Sequence, residues 1–278
     1  MIKIITDTST LYTPSQGKEM NVEILPLLVT VNNKTYQEFV DISSQQFLEE
    51  VKSGNVPTSS QPAIGMVIEA YEKYSDDEIV NLCMTDGLSG TYMSALGAKN
   101  GLENEEHIHV VNTKTLCGPH RYIFECAMKM VNEGCSLDKL LAMLDQKIAS
   151  AKSFLLPQDF DFLKRGGRLT PLAAKIGGLL KIQPVMTQTE DGRRLEKFII
   201  ARTFNGAVSA VIKQFQALEN PESYRVSISH AGVEQQAKKI KENFLALYPN
   251  LNIDFLELSP AFITQGGPGC IAIQWVLN

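Results

Sequence analysis

Hydrophobic and polar positions along this 278-residue chain change period again and again, between short apolar runs and helical spacing. Ile2–Ile5 reads as a buried strand with Asp7-Thr8-Ser9 at its carboxyl end, and Thr13-Pro14 as a helix start with proline in the first turn. Ile24–Val31 has the pattern of a second strand. Ser43 to Gln46 forms a capping box, with Ile42 and Phe47 placed as a hydrophobic staple, and predicts a helix to about Ser53. Ile64, Val67, Ile68 and Tyr71 keep helical spacing after Pro62. Ile79–Met84 predicts a buried strand, Ser94–Lys99 a helix and His109–Val111 a short strand. Helices follow near Tyr122–Asn132 and Leu137–Ala151, the second with Leu137, Leu140, Leu141, Leu144 and Ile148 on one face.

The texture then shifts. Thr170-Pro171 predicts a short helix ending at Gly177-Gly178, and Lys181–Thr189 and Arg194–Arg202 flank Glu190-Asp191-Gly192 as a hairpin. A helix (Phe204–Leu218), a strand (Arg225–Ser229), a helix (Val233–Tyr248) and strands at Asn252–Leu258 and Cys270–Leu277 complete the pattern. Strands alternating with helices predict an α/β protein of two domains. The first, 1–155, has a mainly parallel sheet with helices on both faces; the second, 156–278, has a mixed sheet. The boundary is expected near Ser153–Gln158.

Composition narrows the function classes. A net charge of −5 and a pI near 5.5 argue against a general nucleic-acid binder. No apolar run reaches the roughly 18 residues of a membrane span, and Met1–Asp7 turns polar too soon for a secretory signal. Five cysteines, Cys83, Cys117, Cys126, Cys135 and Cys270, include no C-x-x-C pair and read as buried thiols in a reducing cytoplasm. Cys117, in a loop-like Leu-Cys-Gly-Pro segment, is the one candidate reactive thiol. Four histidines lie outside metal-ligand spacing, so no metal is expected. Walker-type G-x-x-x-x-G-K-[ST] and dinucleotide G-x-G-x-x-G patterns are absent.

The candidate chemistry is anionic recognition. Phe162-Leu163-Lys164-Arg165-Gly166-Gly167-Arg168 sets three cationic residues inside five positions, against the acidic background. Gly-Gly permits a sharp turn, and guanidinium suits planar anions. Thr58-Ser59-Ser60-Gln61-Pro62 and Leu88-Ser89-Gly90-Thr91 each precede a helical pattern, where free N–H groups favour anions. Serines in such places are also ordinary N-caps, and Arg165 and Arg168 could equally form structural ion pairs across the domain seam. Gly87-Leu88-Ser89-Gly90 misses the nucleophile-elbow spacing by one residue. A hydrolase using Ser89, with His230 as base, stays open as an alternative.

On these residues, together with Thr6-Asp7-Thr8, Pro184-Val185, Asp191-Gly192 and Gly267-Pro268-Gly269, the chain resembles the DegV family of bacterial lipid-binding proteins over nearly its whole length. The resemblance implies one long-chain fatty acid held between two α/β domains, with no cofactor and no catalytic residue of the chain's own. It implies a binding subunit that presents the carboxyl group to a separate ATP-dependent fatty acid kinase, which forms an acyl phosphate for phospholipid synthesis. Carried over by position, Ser59, Ser60 and Ser89 bind the carboxylate, Arg165 supports the head group and phosphoryl transfer, and Arg168 and Arg202 face the kinase. Gln265 stands where the family commonly has histidine; an amide can hydrogen-bond the carboxylate but cannot carry charge or shuttle a proton. A lipid carrier or sensor without a kinase is the other reading this leaves.

Overall fold

The computed structural model describes residues 1–176 and 182–278. In chain order the first part runs β1 (Ile2–Asp7), α1 (Pro14–Glu19), β2 (Glu23–Leu25), β3 (Leu28–Val31), β4 (Lys34–Gln37), α2 (Ser44–Lys52), β5 (Thr58–Ser60), α3 (Ile64–Lys73), β6 (Glu78–Cys83), α4 (Thr91–Lys99), β7 (Ile108–Asn112), α5 (Cys117–Asn132) and α6 (Leu137–Ser150). The second runs β8 (Lys152–Leu156), α7 (Phe160–Arg165), β9 (Gln183–Gln188), β10 (Leu195–Ala201), α8 (Phe204–Gln216), β11 (Tyr224–His230), α9 (Glu234–Leu247), β12 (Ile253–Glu257), α10 (Pro260–Gly266) and β13 (Ile271–Leu277).

These strands form three sheets. A parallel sheet has the order β2-β1-β6-β7, and a small antiparallel sheet the order β4-β3-β5. A mixed six-stranded sheet has the order β10-β9-β8-β13-β11-β12. The near-continuous apolar runs of β1 and β6 follow from burial on both faces: Ile5 and Ile79 pack against α3 and α4, while Ile4, Val80 and Leu82 pack against Phe124 of α5 and Leu140 and Leu144 of α6. The six-stranded sheet carries α8 and α9 on one face through Val211, Phe215, Ile240 and Phe244. Its other face meets the first half of the chain.

The capping box forms, with Ser43 and Gln46 satisfying each other's backbone N–H groups and Ile42 and Phe47 buried together, and Thr13 and Gln16 make a second one at the start of α1. The hairpin also forms, with Gly192 at φ +75° in its turn. Other expectations are revised. Ile24–Val31 is two strands in different sheets, because Pro26 has no N–H to donate and breaks the ladder. Ser153–Gln158, expected as the boundary, overlaps β8, which pairs with β13 and β9; the chain changes sheet at Ala151. Cys117 begins α5 instead of lying in a loop, and α7 and α10 arise where no element was predicted. A 3-10 turn, Ala173–Lys175, follows Thr170-Pro171. The predicted stop at Gly177-Gly178 and the predicted strand start at Lys181 lie outside the described residues.

Candidate functional site

Between the other face of the six-stranded sheet and the first half of the chain lies a narrow cleft with a cavity volume of about 90 Å³. Its floor is Leu155, Met186 and Ala272, neighbours in register on β8, β9 and β13. Met84, Leu88, Leu116 and Cys117 close it from the opposite side, with Leu163 and Phe262 from α7 and α10. The walls are almost wholly apolar.

A second, more polar compartment of about 90 Å³ adjoins it and shares Met84, Leu88, Arg168, Phe262 and Gln265. Ser59, Ser60, Gln61, Ser89 and Gly90 line the rest of this mouth, with Leu27 and Ala261. Buried polar groups fix the segments that converge here. Asp7 accepts from the Met84 N–H at 3.1 Å and from the Ser9 N–H at 2.8 Å. Thr8 accepts from the Leu27 N–H at 2.9 Å and donates to Glu38, whose other oxygen accepts from the Ala261 N–H at 2.8 Å. The hairpin turn clasps the loop before Ser89: Thr85 donates to the Gly192 carbonyl at 2.8 Å, and Arg193 pairs with Asp86 at 3.1 Å. Gly87, at φ +85°, sits so close to Arg193 that a Cβ there would lie 2.6 Å from the arginine's own.

Ser59, Ser60, Ser89 and Gln265 therefore come together, from β5, the loop before α4, and α10. Gln265 Nε2 lies 2.9 Å from Ser59 Oγ. Gly166 makes room for this amide; a Cβ there would lie 2.4 Å from Gln265 Oε1. The two arginines exchange the places the resemblance assigns. Arg168 lines both compartments, its Nε donating to the Leu88 carbonyl at 3.1 Å and its Nη1 to the Gly166 carbonyl at 2.5 Å. Arg165, at the end of α7, is exposed and stacked 5.0 Å from the Phe162 ring. Arg202 is exposed just after β10. Helix periodicity explains the exchange: α7 ends at Arg165 and the Gly166-Gly167 turn, with Gly167 at φ +71°, redirects Arg168 inward.

Among the described residues no carboxylate pairs with Arg165 or Arg168. Arg168 crosses the seam to a carbonyl and not to an acid. Burial, and then the neighbouring Arg194 charge, pull its guanidinium below the ordinary arginine value. A half-buried cation with unused N–H donors at the mouth of an apolar cleft is suited to an anionic head group on an apolar body.

The Ser89 hydroxyl bonds to Thr91 Oγ1 at 2.8 Å and caps the Thr91 N–H at 3.3 Å. His230 makes no hydrogen bond to Ser89; it is buried in β11, its Nδ1 without a partner among the described residues and its ring 5.2 Å from that of Phe255. Burial pushes the Cys117 thiol well above its ordinary value, which disfavours the thiolate. No group of three or more potential metal ligands, and no helix long and apolar enough to cross a membrane, occurs among the described residues. Gln61, which adjoins the serine pair in the chain, also lines the mouth, and buried His120 lies 2.7 Å from Ser9 Oγ; neither has a sequence signal of its own.

The model of the DegV family, described as uncharacterised proteins, matches residues 1–278. The chain belongs to the DegV family. It is 30% identical over 284 residues to a DegV domain-containing protein of Halalkalibacterium halodurans, covering 100% of this chain and 99% of that one. The solved structure of DegV, a fatty acid binding protein from Bacillus subtilis, matches with a TM-score of 0.88 and 26% identity, over 100% of this chain and 99% of that one. A fatty-acid-binding DegV family protein from Thermus thermophilus matches with a TM-score of 0.88 and 25% identity over the same shares. The two-domain α/β fold expected from the sequence is thus shared with these family members.

Proposed function

We propose that this chain binds one long-chain fatty acid, its tail in the apolar cleft and its carboxylate at the mouth, and presents that carboxylate to a separate ATP-dependent fatty acid kinase. The carrying observation is Arg168: half-buried, without a carboxylate partner among the described residues, and common to both compartments. Ser59, Ser60 and Ser89 supply hydroxyl donors around it. Gln265 acts through Ser59: its Nε2 donates to the Ser59 hydroxyl oxygen, which leaves the serine's own hydrogen for the carboxylate.

Likeness to the fatty-acid-binding proteins of Bacillus subtilis and Thermus thermophilus supports the ligand class. Energetics agree: at about 0.8 kcal/mol per buried methylene, a dozen of them gain roughly 10 kcal/mol gross, part of which immobilisation cancels. A carboxylate is ionised at neutral pH and needs no base to attack a γ-phosphate. The bound carboxylate is the nucleophile, so catalysis requires positioning and charge stabilisation at the mouth. Exposed Arg165 and Arg202 are then docking candidates for the kinase, and Arg168 the head-group residue. A soluble cytoplasmic location goes with this role.

Denaturing extraction of the purified protein followed by mass spectrometry is expected to yield one fatty acid per chain. Addition of ATP and a matched kinase should convert it to the acyl phosphate. No extracted lipid and no uptake of added oleate or palmitate would overturn the binding role. Binding without phosphorylation by any matched kinase would instead support a carrier or sensor, the reading that glutamine at position 265 favours.

A further inference from the structure

The floor of the cleft is apolar for only part of its length. Two residues along each strand from the Ala272, Leu155 and Met186 row, away from Gln265 and the mouth, the same face carries Gln274, Ser153 and Gln188. Gln274 pairs with Ser153 across β13 and β8, and Gln188 continues the register on β9. All three line the cleft. From Cys270 to Gln274 the strand advances about 13 Å, so this polar row lies at the distal end.

Gln274 is 2% exposed. Its Nε2 donates to the Leu116 carbonyl at 2.9 Å and to Ser153 Oγ at 2.8 Å, which uses both amide hydrogens. The orientation is fixed, since a carbonyl oxygen accepts only. Oε1 is consequently left buried with no partner among the described residues. Ser153 Oγ accepts from the amide, and among the described residues its own hydrogen is given to no other group. The distal end thus offers one buried free acceptor beside one free donor on partly exposed Ser153.

We propose that this end recognises a hydroxyl group on the tail of the bound acyl chain, so that the preferred ligand is a hydroxylated long-chain fatty acid. This rests on the fatty-acid reading above. A hydroxyl donates to Gln274 Oε1 and accepts from Ser153, satisfying both at once. A methyl end leaves both unpaired, and a second carboxylate, an acceptor only, cannot serve Oε1. Ser153 and Gln188 also border an outer groove whose lining includes Asn112, Lys114, Asp145 and Glu190, so polar groups continue beyond this end of the cleft.

The test is titration of lipid-free protein with palmitate and stearate, and with their mid-chain and ω-hydroxy derivatives. At least one hydroxylated chain is expected to bind about tenfold more tightly than its parent, the gain of one or two net hydrogen bonds. Gln274→Met should lose that gain and favour the parents. Ser153→Ala should reduce the gain and serves if the methionine variant does not fold. Parents that bind wild-type protein as tightly as every hydroxylated derivative would overturn the inference and leave the fatty-acid role standing. Failure of every chain to bind would overturn that role and this inference together.

Discussion

Glu38 is completely buried between β1, β4 and α10, and burial, the largest influence, lifts its carboxyl from 4.5 to about 7. Hydrogen bonds from Thr8 and the Ala261 N–H oppose that rise without cancelling it, and the Asp7 charge adds to it. The folded state therefore holds a proton that the unfolded chain releases near pH 4.5. Stability from this group is fully present below 4.5, falls as pH rises, and is lost once pH passes about 7. At 1.36 kcal/mol per unit the loss amounts to about 3 kcal/mol, a large share of the 5–15 kcal/mol typical of a domain. Glu38→Gln mimics the protonated form: its oxygen accepts from the Ala261 N–H and its NH₂ donates to Thr8. Urea unfolding of lipid-free protein across this range should give matching stabilities near pH 4 and a variant about 3 kcal/mol more stable near pH 8. Parallel curves for the two proteins would refute a buried, proton-holding Glu38. Because α10 carries Gln265 at its other end, the variant should also retain lipid better at alkaline pH.

Arg168→Ala is expected to weaken fatty-acid retention about ten- to a hundredfold, the range for losing a hydrogen bond to a charged group, whereas Arg165→Ala should lower kinase coupling with little change in retention; equal lipid loss in both, measured after extraction, would contradict their separation. Gly166→Ala pushes a methyl against Gln265 Oε1 and should displace the amide from Ser59, costing about 1 kcal/mol in ligand affinity by titration calorimetry; unchanged affinity would mean that the amide does not act on the head group through Ser59. Gln265→His should raise acyl phosphate formation with a matched kinase, since an imidazole can carry charge, and equal rates would remove any special role for this position.

Local physics was readable in the chain. The helix start at Thr13-Pro14, the capping box at Ser43, the leucine face of α6 and the glycine-turn hairpin rest on contacts within a few residues, so periodicity and turn chemistry determine them. The polar segments around Ser59, Ser89 and Arg168 were also legible as anion-seeking. Their meeting was not. The Gln265–Ser59 bond spans 206 positions and the Arg168–Leu88 bond 80, and which arginine faces inward depends on where α7 stops and how Gly166-Gly167 turns. Packing likewise decided that Pro26 divides one apolar run between two sheets and that β8 joins the second. Gln274, lone and polar within an apolar last strand, gave no local sign of its role; only pairing with Ser153 and closure by Leu116 use its amide hydrogens and strand its oxygen. Period and propensity act over one or two turns of chain, whereas burial and polar pairing across the seam exist only once distant segments are brought together.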